Sequence, residues 1–257
     1  MPAVAALLDS RGTLTALRRT LPRGSAPVLA CRGPTGLERA LRSRLLDAIV
    51  LGTRAARAVD LGSIRARYPG IPLCVYGSFR SDDGRFLTEL DGRVGIAAIL
   101  VEGVDDPVAG EIIVRRSVSA RRRRELAEAP RLFRLTEPLQ CRAWELLLDS
   151  PGRPPTTETI AAKLEVSREH LSRQFGAGGA PNLKRVIDLL QVIAALDLLT
   201  NPGYPLALTS RLLGYSTPGH LRAVIRRIVG VPFAQFPAMN AAVVLKRFVG
   251  GRGRSRR

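Results

Sequence analysis

The first half of the chain alternates short apolar runs with longer amphipathic stretches that carry arginines. Uninterrupted apolar runs of this length are typical of strands buried on both faces, and the stretches between them are long enough for helices. The pattern therefore predicts a parallel sheet with helices on both sides. The predicted strands are residues 3–8, 27–31, 48–51, 72–76 and 95–101, and the predicted helices are residues 11–21, 35–46, 55–68, 83–90 and 107–126.

After Ala129 the apolar positions recur with the 3.6-residue period of helices. This change predicts a fold class of α/β plus all-α, with an α/β domain over residues 1–128 and an all-helical domain over residues 129–240. Residues 241–257, which end in glycines and arginines, are predicted to be a basic disordered tail. We expect the arginine run at residues 121–124 to lie on a solvated face or near the linker.

Residues 157–175 have the spacing of a helix-turn-helix unit, with two short helices joined by a turn of three or four residues. Ser167 is positioned to cap the second helix, and Leu171 and Phe175 are spaced to face the core. The outward face carries polar side chains that suit base edges and phosphates, namely Arg168, Glu169, Ser172 and Arg173.

A related unit follows about fifty residues later, at residues 205–230. Gly214 suits the positive φ of a tight turn, Ser216 is a candidate cap, and Leu221 and Ile225 repeat the inward pair. The apolar stretch at residues 183–199 predicts a central helix that fixes the two units relative to each other. The candidate DNA contacts of the second unit are Thr217, Arg222, Arg226 and Arg227.

Taken in order, these residues resemble the AraC-type DNA-binding domain, a module of seven helices in which one helix bridges two helix-turn-helix units. The resemblance covers about residues 136–237 and rests on Ile160-Ala161, Ser167, Leu171 to Arg173, Phe175, Ala195, Leu198-Leu199, Gly214 to Ser216, His220-Leu221, Gly230 to Pro232 and Phe236. The base-reading positions that it implies are Glu169, Ser172 and Arg173 in the first unit, and Pro218, Gly219, Arg222 and Ala223 in the second.

The second unit departs from the family pattern. Thr209-Ser210 stands where the family usually has an Ile-Ala pair, and Leu221 and Ile225 replace its usual aromatic residues. Side chains of glycine and alanine cannot hydrogen-bond to bases. We therefore expect the first recognition helix to read most of the sequence, and the arginines of the second to contact mainly the DNA backbone.

The fivefold strand and helix pattern of residues 1–110 resembles a response-regulator receiver domain, which has a flavodoxin-like fold. A receiver needs a carboxylate after its third strand to accept phosphate, an acidic pair for magnesium, and a lysine. Here the acceptor position is Gly52, the first strand ends in the single acid Asp9, and the fifth runs into Glu102. We expect a domain that is not phosphorylated in the usual way and serves dimerisation, partner binding or another signal, with Asp9 as a cap or turn residue rather than a magnesium ligand.

The charge of the chain is formally +18, which favours a polyanionic partner. Residues 151–257 hold 16 basic and 5 acidic side chains, so the helical part is the more basic. We expect the partner to be double-stranded DNA, with a homodimer possible and a small-molecule effector left open. The chain has no leader pattern and no apolar run of roughly 18 residues, so we expect a cytoplasmic protein without membrane contact.

Two other functions stay open at this point. The α/β domain of an enzyme would bind its ligand at the carboxyl ends of the strands. Both histidines lie in the other domain, however, and no nucleophile has a base spaced near it, so we expect no catalysis, no metal and no cofactor. The second alternative is a non-specific or architectural nucleic-acid-binding protein that binds through its arginine content.

Overall fold

The structure is a computed structural model of the chain and describes residues 2–150 and 153–251. These residues form two compact units, of which the first comprises residues 2–121 with 201–204, and the second the remainder. None of the helices in the described ranges combines the length and apolar composition needed to cross a membrane.

The first unit contains a five-stranded, entirely parallel sheet with the strand order β2-β1-β3-β4-β5. All residues of the three central strands are buried, because helices cover both faces of the sheet, whereas the two edge strands are partly exposed. The predicted sheet is confirmed. Its strands are β1 (Ala3–Leu7), β2 (Val28–Ala30), β3 (Leu46–Leu51), β4 (Leu73–Gly77) and β5 (Ala98–Val101).

Two of the predicted helices are divided. Asp60 begins a new helix by accepting a hydrogen bond from the Ser63 amide at 3.0 Å, and Ser117 is extended and accepts from the Ala120 amide at 3.1 Å. The helices are α1 (Arg11–Thr20), α2 (Gly33–Ser43), α3 (Thr53–Ala58), α4 (Leu61–Arg67), α5 (Asp83–Val94), α6 (Asp106–Arg116) and α7 (Val118–Glu125), and the boundary between the units falls within α7.

Helices α1 and α6 pack against the same face of the sheet and approach each other closely. The core on this face includes Val4 and Ala6 of β1, Leu17 of α1 and Ile113 of α6. At Gly110 the approach leaves no room for a side chain, since a Cβ there would lie 1.9 Å from the Thr20 carbonyl oxygen. Glycine is therefore required at this helix crossing.

The second unit is helical throughout its described residues, as predicted. Its core includes Trp144, Phe133, Phe175 and Phe236, each at most 2% exposed. Besides two short 3₁₀ segments (Ala177–Gly179 and Phe233–Ala238), its helices are α8 (Ala129–Phe133), α9 (Pro138–Leu148), α10 (Thr157–Lys163), α11 (Arg168–Phe175), α12 (Leu183–Leu199), α13 (Leu206–Leu213), α14 (Pro218–Val229) and α15 (Ala241–Gly250).

The arginine run 121–124 was expected on a solvated face or near the linker. The second alternative is confirmed, because the boundary between the units falls after Arg121, whereas a solvated position is wrong for Arg122. Its side chain is 10% exposed and donates two hydrogen bonds to the Asp197 carboxylate, from Nε at 2.7 Å and from Nη2 at 2.6 Å. A buried guanidinium needs such a partner, and this one lies 75 residues away, where no local pattern reveals it.

The predicted disordered tail is wrong for Ala241–Gly250, which forms α15. Asn240 caps this helix by accepting a hydrogen bond from the Val243 amide at 2.9 Å. The buried positions Ala241, Val244, Leu245 and Phe248 have helical i, i+3, i+4, i+7 spacing, so the segment has an apolar face to bury. Residues 252–257 of the predicted tail lie outside the described residues.

Candidate nucleic-acid interface

The first helix-turn-helix unit is formed by α10 and α11, which are joined by the four residues 164–167. Ser167 caps α11, its hydroxyl accepting a hydrogen bond from the His170 amide at 3.1 Å. Leu171 and Phe175 are fully buried and face the core. The predicted turn, cap and inward pair are confirmed.

The first helices of the two units end in the same way. The Val166 amide donates to the Ala161 carbonyl at 3.1 Å, and the Tyr215 amide donates to the Ser210 carbonyl at 2.9 Å. The residue before each donor has a positive φ, which is 57° at Glu165 and 82° at Gly214. This is the hydrogen bond of a Schellman-type helix end, and it turns the chain sharply toward each second helix.

The outward face of α11 carries the four polar residues that the sequence places there. Arg168, Glu169, Ser172 and Arg173 are all exposed. Arg168 and Ser172 also line an open cavity of about 590 Å³, together with the first turn of α12. The face is thus accessible along its whole length.

In the second helix-turn-helix unit, α13 and α14 are joined by residues 214–217. The residue that caps α14 is not the predicted one. Thr217 rather than Ser216 accepts a hydrogen bond from the His220 amide, at 3.1 Å. The shift follows from Pro218, which is favourable as the first residue of a helix but disfavours a helical conformation in the residue before it. If Ser216 were the cap, Thr217 would be the first helical residue, and this is the residue before Pro218 in which the helical conformation is disfavoured.

The exposed face of α14 carries arginines. Leu221 and Ile225 are fully buried, as predicted, while Arg222, Arg226 and Arg227 are exposed. These three line an open cleft of about 920 Å³, which residues 230–233 complete. In this cleft the Arg222 guanidinium lies 5.3 Å from the centre of the Phe233 ring. This distance permits a cation–π interaction that orients the side chain.

The central helix α12 carries a buried acid that sequence reasoning missed. Asp188 is 4% exposed and accepts hydrogen bonds from Lys184 at 2.9 Å and from Arg227 at 2.8 Å. The available signal was a carboxylate in the middle of a largely apolar stretch, which also contains Asp197, because a buried carboxylate requires cationic partners.

At the carboxyl edge of the sheet, the Asp9 side chain fills the space beside Gly52. Its carboxylate accepts hydrogen bonds from the amides of Arg54 and Ala55, both at 3.1 Å, and from the Thr53 hydroxyl at 3.4 Å. A Cβ at Gly52 would lie 2.6 Å from the Asp9 carboxyl carbon. Asp9 thus follows β1 as expected, but its side chain caps the amino terminus of α3 rather than the turn after β1.

Glu102, at the end of β5, brings a second carboxylate to this edge. It accepts hydrogen bonds from the hydroxyls of Thr13 at 2.9 Å and Ser78 at 3.4 Å. Nearby, the Arg80 amide and the Arg57 guanidinium lower the pKa of Asp83. These groups line a cleft of about 610 Å³. Within residues 2–150 and 153–251, no three acidic, cysteine or histidine side chains are grouped so that they could hold a metal ion.

Comparison with known families matches residues 160–239 to the family described as the helix-turn-helix domain. Comparison with curated proteins gives no significant match. Similar solved structures include the carboxy-terminal domain of AraT, a response regulator from Geobacillus stearothermophilus (21% identity, 40% of this chain and 85% of that chain, TM-score 0.36).

Two further structures are a signal receiver domain of an HD domain-containing protein from Pseudomonas fluorescens (17% identity, 48% and 93%, TM-score 0.40) and full-length FixJ from B. japonicum (13% identity, 73% and 95%, TM-score 0.36). These TM-scores are low, so the fold of the first unit rests on its strand order and that of the second on the family match. The second unit contains a helix-turn-helix domain of the AraC type, and the first has the five-stranded parallel fold of a receiver.

Proposed function

We propose that this protein is a sequence-specific DNA-binding transcription regulator. The observation that carries the proposal is the pair of helix-turn-helix units with exposed polar faces, α11 and α14, within one family-matched segment. A helix of this kind enters the major groove and presents its exposed side chains to base edges.

The first helix-turn-helix unit, α10 and α11, reads bases in this proposal. Arg173 is the strongest candidate, since a bidentate arginine contact to guanine discriminates by about 1–3 kcal/mol against other bases. Glu169 and Ser172 lie on the same exposed face and add donor and acceptor groups. Arg168, at the start of α11, is assigned to the adjoining phosphates.

The second helix-turn-helix unit, α13 and α14, positions the protein on the duplex. Pro218, Gly219 and Ala223 are exposed on α14 but have no side-chain groups that could hydrogen-bond to bases. Arg222 and Arg226 are exposed guanidinium groups, and Thr217 lies at the amino end of the helix. Contacts from these residues to phosphates would fix the register without reading sequence.

We further propose that the α/β unit, residues 2–121 with 201–204, supplies dimerisation or a signal that does not involve phosphorylation. A phosphoryl group needs an acceptor carboxylate and compensating cations. Gly52 offers no acceptor, Asp9 is used as a cap, and Glu102 adds negative charge at the same edge. Because Asp9 and Glu102 bind groups of the protein itself, a regulatory role fits this edge better than an enzymatic one.

A second candidate is a non-specific or architectural DNA-binding protein. The formal charge of +18 favours it, because affinity for phosphates needs no sequence information. The ratio of specific to non-specific affinity separates the two candidates.

The test is selection of binding sites from random duplex DNA, followed by titration of the selected duplex against a scrambled one. We expect an enriched motif that is bound at least about a thousandfold more tightly than the scrambled duplex. Arg173→Ala should relax the preference at one base pair. Arg226→Ala should instead weaken all duplexes alike and flatten the salt dependence by about one unit. Equal binding of all duplexes would refute the specific regulator and support the architectural protein.

A further inference from the structure

The buried carboxylate of Asp188 connects the central helix to the second recognition helix. Its side chain is 6% exposed, whereas those of Arg227 and Lys184 are 61% and 72% exposed. Arg227 lies on α14, and Lys184 lies one turn before Asp188 on α12. Since a buried charge is costly without partners, the two cations are needed to compensate this one.

Only one of the two ion pairs joins different elements. Arg227 Nη2 donates to Asp188 Oδ2 at 2.8 Å, which links α14 to α12. Lys184 Nζ donates to Asp188 Oδ1 at 2.9 Å within α12 itself. The Arg227 pair therefore constrains the recognition helix, whereas the Lys184 pair supplies charge compensation alone.

A second polar contact joins the same side of α12 to the turn before α14. The Tyr215 hydroxyl donates to Gln191 Oε1 at 2.8 Å, and Gln191 follows Asp188 by three residues on one helix face. Burial, with a contribution from the Asp188 charge, raises the pKa of Tyr215 to about 12, so this hydroxyl stays protonated and able to donate near neutral pH.

We propose that Asp188 is a positioning residue for the second recognition helix and that Arg227 belongs to this clamp rather than to the DNA contacts. Arg222 and Arg226 are then the guanidinium groups that α14 offers to phosphates. The inference rests on the proposed function and specifies which arginines of the second unit contact the DNA. All three arginines line the cleft beside residues 230–233, but among them Arg227 is the one paired with the Asp188 carboxylate, from the α12 side.

The salt dependence of DNA binding tests this division, with the full chain and the selected duplex. Arg226→Met removes a phosphate contact, so the ratio of affinities at 50 and 200 mM salt should fall about fourfold. Arg227→Met should keep the salt slope of the unmodified protein but lower its affinity for the selected duplex at each salt concentration, because α14 is less well oriented toward the backbone. If the salt dependence of the Arg227→Met variant is flattened as much as that of Arg226→Met, the proposal is overturned.

A double-mutant cycle on the DNA-free protein tests the clamp independently. Urea midpoints are compared for Asp188→Asn, Arg227→Met and the double variant. We expect the double variant to be no less stable than Asp188→Asn alone, since the guanidinium has no carboxylate to bind once Asp188 is replaced. Losses that simply add would contradict the clamp.

The matched control is Lys184→Met, which removes the other cation of Asp188 without breaking a link between elements. It should lower the urea midpoint less than Arg227→Met does, and an equal or larger loss would count against the assignment. If Asp188→Asn does not fold, the urea midpoints of Lys184→Met and Arg227→Met, together with the salt slopes, still test the clamp. If no duplex is enriched, the proposed function fails, while the cycle still supports or refutes the clamp.

Discussion

At the scale of single residues, Gly52 and Asp9 illustrate how one position changes the chemistry available at the edge of a sheet. The Asp9 carboxylate fills the space next to Gly52 and binds two amides of α3. An acceptor side chain at position 52 and a capping carboxylate at position 9 therefore compete for one volume. The first unit has the receiver topology but uses this space for a structural contact.

The substitution Gly52→Asp is accordingly expected to leave the protein unable to accept a phosphoryl group. The new carboxylate would meet Asp9 at less than contact distance and repel its charge, so we expect a loss of about 1–3 kcal/mol in the free energy of unfolding. Intact mass after incubation with a small acyl phosphate, together with a urea titration, measures both effects.

Gly52→Ala is the control, since it adds the steric contact without the charge. It should destabilise the protein less than Gly52→Asp does. A phosphate adduct on the aspartate variant would show that the acceptor position is functional once a carboxylate is supplied, contrary to the role proposed for this edge.

At the scale of elements, the strands and helices that depend on the local pattern of apolar and polar residues could be predicted from the sequence. All five strands were identified because each is a short uninterrupted apolar run, and α11 was identified from its cap Ser167 and the inward pair Leu171 and Phe175. The exposed recognition face followed from the same periodicity. Local pattern therefore sufficed for the fold class and for most of the candidate site.

The features that were missed depend on contacts between distant residues. Arg122 is buried only because Asp197 is available from another helix, and the partnership of Asp188 with Arg227 spans 39 residues. The cap of α14 was misplaced by one residue for a different reason, since Ser216 and Thr217 are both good caps. Only the conformational preference before Pro218 distinguishes them.

The crossing of α1 and α6 depends on the absence of a side chain at Gly110. Gly110→Ala would place a Cβ 1.9 Å from a carbonyl oxygen of α1, so the two helices must separate. We expect the free energy of unfolding to fall by about 1–3 kcal/mol. Chemical denaturation followed by far-ultraviolet circular dichroism measures this change.

Gly92→Ala is the matched control, because Gly92 is also helical but a Cβ there meets nothing within 4 Å. Replacing glycine by alanine in an open helix should stabilise the protein by about 0.5–1 kcal/mol. If the two substitutions shift the midpoint in the same direction, close packing is not what requires glycine at position 110.

At the scale of the whole molecule, the charge distribution and the pair of recognition helices contribute differently to DNA binding. The charge of +18 adds affinity for any duplex and makes binding strongly dependent on salt. In the proposed function, sequence preference comes mainly from α11, while α14 contacts phosphates at a fixed distance along the duplex. The helix that sets this distance is α12, whose interior is almost wholly buried.

This arrangement predicts that the selected DNA has no strict spacing requirement beyond the segment that α11 reads. Two recognition helices on one face of a duplex enter successive major grooves about 34 Å apart, which corresponds to 10–10.5 base pairs. Inserting five base pairs between the two contacted segments moves them to opposite faces of the duplex. Since phosphates recur along any duplex, the inserted duplex still presents a backbone to α14 at the distance that α12 sets. We therefore expect its affinity to stay close to that of the original and above that of a shorter duplex carrying the α11 segment alone.

Gel-shift titration of the original, the inserted and the single-segment duplexes at one salt concentration makes the comparison. A substitution of five base pairs outside both segments is the control and should leave affinity unchanged. If the inserted duplex binds only as tightly as the single-segment duplex, then α14 reads bases at a fixed distance from α11. This would contradict the assignment of α14 to the backbone, because contacts to phosphates alone survive the half-turn.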